Sequence, residues 1–80
     1  MSEYQYLIVP SQGMYGSGED VQPVRRSNLS LRRVRLITDR MTRQHQASMR
    51  PYGGSSGGYR VIESASWTYG ADLDRIPDAS

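Results

Sequence analysis

No phenylalanine, no cysteine and a single tryptophan leave this 80-residue chain little material for a core. A chain of this length forms one domain at most and sits near the lower size limit for folding alone. Its aromatic content rests mainly on six tyrosines. Tyrosine favours half-buried positions where its hydroxyl finds a partner, so the composition implies a small domain that leans on a neighbour for part of its stability. Eight glycines and four prolines add entropy cost and irregularity. Without cysteine there is no disulfide framework, no thiolate zinc site and no thioether-linked cofactor. No apolar run approaches the roughly 20 residues of a membrane span, and Glu3 followed by the short run YLIV does not make a signal peptide. A soluble intracellular protein is the expectation.

Pattern and punctuation divide the chain into strand, strand, helix and strand. Residues 4–10, YQYLIVP, are tyrosine-rich and β-branched and stop at Pro10, as a strand does. Residues 11–23 have no period and form a loop. Residues 29–37, LSLRRVRLI, read as a second strand whose apolar phase slips at Arg32-Arg33. A β-bulge there would bring Leu29, Leu31, Val34 and Leu36 to one face; an irregular strand buried on both faces is the alternative. Residues 38–49 predict a short helix capped by Thr38 or Asp39, with Met41, His45, Ala47 or Ser48, and Met49 near helical spacing, and Pro51 stopping it. Residues 52–58, YGGSSGG, are a flexible joint. In 59–70, Tyr59, Val61, Ala65 and Trp67 alternate as a third strand, with Ile62 out of pattern. The expected fold is α+β: a three-stranded antiparallel sheet with one short helix, in a single domain over 1–70. Residues 71–80 follow as a polar tail, with Leu73 and Ile76 as anchors.

The net charge of +2 conceals an uneven distribution. Residues 25–50 hold eight of the ten arginines against one acid, Asp39, for a local charge of +7; residues 1–24 carry −3 and residues 51–80 carry −2. There is no lysine. A charge run is often only a solvated face, but guanidinium suits bidentate pairing with carboxylate or phosphate and stays charged when desolvated. The arginine block therefore points to nucleic acid or to an acidic protein surface.

Catalytic signals are weak. His45 is the sole histidine, which is too few partners for acid–base or nucleophilic work and too few ligands for a transition metal. Asp72, Asp74 and Asp78 lack the glycine and glutamate of a calcium loop. GGSSGG without a lysine is not a phosphate-binding loop, and Asn28-Leu29-Ser30 is a chance glycosylation sequon. A non-enzymatic binding protein is the expectation.

Four fragments carry a family resemblance. YLIVPSQ (6–12) is similar to the start of the small core linker of phycobilisomes, whose first strand runs into Val-Pro-Ser-Gln. VRRS (24–27) resembles the Arg-Arg-Ser before the second strand of the rod-capping linker. LITDRMTRQHQ (36–46) resembles the end of that strand and the Arg/Gln-rich helix of both, and GGYRVIES (57–64) the Gly-Gly turn and last strand. Departures are the longer PYGGSSG segment, the missing phenylalanines, and Thr38-Asp39 in place of the family's Pro-Tyr.

The resemblance implies a non-enzymatic small linker, rod-capping or core, within the central cavity of a phycobiliprotein trimer or hexamer. Its partners would be acidic phycobiliprotein subunits of the phycocyanin or allophycocyanin type, together with larger linkers. It would cap or space the stack and tune energy transfer of nearby bilins without binding one covalently. Its place would be peripheral, on the cytoplasmic side of the thylakoid membrane. The matched positions are Arg25, Arg26, Ser27, Arg43, Gln44, Gln46, Gly57 and Gly58. The charge block and the tyrosines add Arg32, Arg33, Arg35, Arg40, Tyr4 and Tyr6 as candidate protein-binding residues. The alternatives are a minor structural protein of another large assembly, such as a virion, or a small basic nucleic-acid-binding protein.

Overall fold

β1 (Tyr6–Pro10) is the central strand, and its residues are buried along its whole length. In the computed structural model, which describes residues 4–11, 23–49 and 57–80, β1 lies between β2 (Arg25–Ser27) and β3 (Tyr59–Glu63), antiparallel to both. The register sets Leu7 against Arg26 on one side and Ile62 on the other. Side chains alternate across a sheet, so one face receives Tyr6, Ile8 and Val61 and the other Leu7, Val9 and Ile62. Both faces are covered. Val34 of the helix packs with the first set, joined by Leu31, Ile37 and Met41. Leu73 and Ile76 of the C-terminal segment pack with the second, joined by Trp67 and Ala71. A strand covered twice needs an unbroken apolar run rather than an alternating one, which is what YLIV supplies. Pro10 fits at the end because its nitrogen faces the β2 side, beyond the last paired residue there.

The α+β architecture is as expected, but two of its elements lie elsewhere in the sequence. The second strand is Arg25–Ser27, not 29–37, and the bulge at Arg32-Arg33 does not exist because those residues are helical. α1 runs from Leu31 to Met49, 19 residues, and absorbs the whole segment read as a strand. Its N-terminus is set by Ser30: the Ser30 carbonyl accepts from Val34 N–H at 3.0 Å and its hydroxyl from Arg33 N–H at 3.4 Å. Thr38, expected as a cap, is instead buried inside α1 and donates its hydroxyl to the Val34 carbonyl at 2.7 Å. The third strand is shorter than 59–70. It ends at Glu63, and a 3-10 turn (Ser64–Ser66) follows. Ile62 is fully buried, so its apparent misfit records the second covered face. The loop expected at 11–23 and the joint at 52–58 lie largely outside the described residues.

The C-terminal segment is structural. It forms a 3-10 turn at Leu73–Arg75 and buries Leu73, Ile76 and Ala79. It then passes around the outer edge of β3, where Ala79 N–H donates to the Val61 carbonyl at 2.9 Å. Open sheet edges invite association, and this contact occupies part of one.

Gly58, just before β3, lies tight against Thr42 of α1. A Cβ at Gly58 would lie 2.6 Å from Thr42 Cγ2. The next residue uses the same side chain: Tyr59 N–H donates to Thr42 Oγ1 at 3.0 Å. Gly58→Ala is therefore expected to destabilise the fold by about 1–3 kcal/mol through overpacking. Thr42→Ser, which removes the clashing methyl and keeps the acceptor, should recover part of that loss. Urea unfolding of both single variants and the double variant checks this through their non-additivity.

Candidate protein-docking surface

The arginines separate into those that fasten the fold and those that face outward. Arg60 on β3 is a fastener: Nη1 donates to the Leu73 carbonyl at 3.0 Å and Nη2 to the Ile76 carbonyl. Its Nε lies 2.8 Å from Asp78 Oδ1, a charge pair without a well-aligned N–H···O bond. These contacts hold the C-terminal segment over the second face of the sheet. Arg35 does related work from the helix, donating through Nη2 to the Ala79 carbonyl at 2.7 Å. Arg75 pairs with Asp72 at 3.5 Å, three residues back, and is largely exposed.

Arg32, Arg33, Arg40 and Arg43 have no such partners. All four are exposed on α1, and none has a carboxylate within ion-pair distance among the described residues. At 100° per residue they share the side of the helix opposite Val34, Thr38 and Met41. Leu36 stands among them with 64% of its surface exposed. Like charges on one helix face repel, so this arrangement gains when a partner brings negative charge.

The other candidates are dispersed. Arg25 and Arg26 are exposed on edge strand β2, while Ser27 beside them is buried and accepts from Leu29 N–H at 3.1 Å. Gln44 is exposed on α1; Gln46 is half-buried and donates to the Gly57 carbonyl at 3.4 Å. Tyr4 is half-buried. Tyr6 is not a surface residue: it is 9% exposed and belongs to the helix-side core. Arg50 lies outside the described residues. Arg32, Arg33 and Arg35 lie on α1 and not on a strand as expected for 29–37.

Other chemistry is sparse. His45 is half-buried edge-on to Tyr59, with ring centroids 6.2 Å apart. Among the described residues no three or more histidine, cysteine, aspartate or glutamate side chains converge as metal ligands, and no helix is long and apolar enough to cross a membrane. An open groove of about 250 Å³ runs between α1, β3 and the C-terminal segment. It sets Arg35 and Arg60 beside Asp39 and Asp78, so its charges balance.

Comparisons with protein-family models, curated proteins and solved structures gave no match. Two of the fragments that resemble phycobilisome linkers take other positions in the fold: VRRS supplies β2 itself rather than the turn before it, and LITDRMTRQHQ lies wholly within α1.

The division of the arginines is testable. Arg60→Met should lower stability by about 2 kcal/mol, because it removes charge-assisted bonds to part-buried carbonyls. Arg75→Met, at a screened and exposed pair, should change it by less than about 0.5 kcal/mol. Urea midpoints of the two variants, compared at constant m-value, provide the check.

Proposed function

We propose that this protein is a non-enzymatic binding module that docks the arginine face of α1 on an acidic protein surface, and that it works as a small phycobilisome linker. The observation that carries the reading is the group Arg32, Arg33, Arg40 and Arg43, exposed together and without carboxylate partners among the described residues. The order strand–strand–helix–strand agrees with what the linker resemblance implies, as does a basic face suited to the acidic cavity of a phycobiliprotein disc. Arg25 and Arg26 on an edge strand would add a second contact in a partner that surrounds the module. In this role the protein holds no bilin; it caps or spaces stacked discs and perturbs the bilins of its neighbours.

Nucleic acid is the competing partner for so basic a face, since phosphate affinity scales with the number of cationic contacts. The acidic flanking segments, −3 over residues 1–24 and −2 over 51–80, disfavour a polyanionic backbone that extends past the helix.

Mixing the protein with phycocyanin or allophycocyanin trimers tests the reading. Trimer association and red emission should change at low salt, and the effect should weaken as salt rises. Arg33→Glu with Arg40→Glu should reduce binding at least about tenfold while leaving helical circular dichroism intact, because both side chains are exposed. Unchanged trimers at low and moderate salt, or a salt-removable 260 nm component that copurifies from the native source, would contradict it.

A further inference from the structure

We infer that Leu36 is the apolar anchor of the docking face, and that the partner offers an acidic protein surface with an apolar pocket deep enough for one leucine side chain. This deepens the proposed function and rests on its arginine-face reading. Leu36 is 64% exposed, more than Leu29 or Val24, in a chain that otherwise buries nearly all the aliphatic residues of its described elements. Arg32 and Arg33 precede it by one helical turn, Arg40 follows by one turn and Arg43 by two. Residues three and four apart on a helix are neighbours, so guanidinium groups flank the leucine on both sides, with the exposed Asp39 carboxylate three residues on. A buried apolar centre inside a polar rim is the pattern in which one side chain carries much of an interface's affinity. The arginine stems extend the apolar patch while their heads reach carboxylates.

Other polyanions fit less well. A phosphate backbone offers Leu36 no apolar seat. An anionic bilayer takes up a helix through a broad apolar stripe, and that stripe of α1, Val34 with Leu31, Ile37 and Met41, is already packed on the sheet. A protein pocket matches a single exposed leucine on a predominantly cationic helix face.

The full chain is titrated, by fluorescence anisotropy, with two synthetic probes of equal negative charge. One is an amphipathic helical peptide bearing glutamates and a leucine stripe; in the other, serines replace the leucines. The leucine peptide is expected to bind about tenfold more tightly. Leu36→Ala should abolish that preference and leave affinity for the serine peptide unchanged. The variant should fold normally, because Leu36 is exposed and alanine is a strong helix former. Equal affinity of the wild type for the two peptides, or an undiminished preference in Leu36→Ala, overturns the anchor. So does Leu36-dependent binding to phosphatidylcholine–phosphatidylserine vesicles that is tighter than binding to the leucine peptide. Failure to bind phycobiliprotein trimers speaks only against the linker reading, since the peptide comparison does not depend on it.

Discussion

Burial of β1 on both faces is the constraint on which the rest of the molecule depends. Ile8 and Val9 are completely buried, and they point to opposite sides of the sheet. Truncating a fully buried isoleucine to alanine costs about 2–5 kcal/mol, against about 5–15 kcal/mol for the whole stability of a typical domain. A chain without phenylalanine cannot offset that loss elsewhere. The helix gives its apolar stripe to one face, where Ala79 joins it, and the C-terminal segment gives Leu73 and Ile76 to the other. Leu73, Ile76 and Ala79 are core residues despite the polar sequence around them.

That use of apolar residues decides what remains for contact with other molecules. Arg60 and Arg35 bond to carbonyls of the C-terminal segment and are parts of the fold. The four arginines on the far side of α1 have no carboxylate within ion-pair distance among the described residues, and like charges on one helix face repel. One residue type thus occurs in two settings, separated by whether the guanidinium meets backbone carbonyls or solvent.

Much of the architecture was legible in the sequence. YLIV bounded by Pro10 is a strand on any reading, Tyr59–Glu63 lies within the expected third strand, and Leu73 and Ile76 stand out as anchors in a polar segment. The misreading of 29–37 has a physical cause. Val34 and Ile37 are β-branched and favour strands in isolation, and exposed Leu29 and Leu36 mimic the apolar positions of a two-residue period. Leu31, Val34, Thr38, Met41 and His45, which do pack or lie at least half-buried, follow the helical period. Ser30, followed by no glycine or proline before Arg50, was the available signal for the helix start. The cationic surface was legible as a list of arginines but not as a division among them. Arg60 finds its carbonyls 13 and 16 residues along the chain, and no sequence spacing reveals those partners before the C-terminal segment has folded back.

Arg60 and the helix-face arginines differ in what holds their guanidinium groups. Side-chain ¹⁵Nε relaxation of the free protein measures that difference without any partner. Arg60 is expected to give a high order parameter close to that of the backbone, whereas Arg32, Arg33, Arg40 and Arg43 give low values typical of freely moving side chains. A mobile Arg60 would contradict the fastening of the C-terminal segment, and helix-face arginines as rigid as Arg60 would contradict their lack of partners.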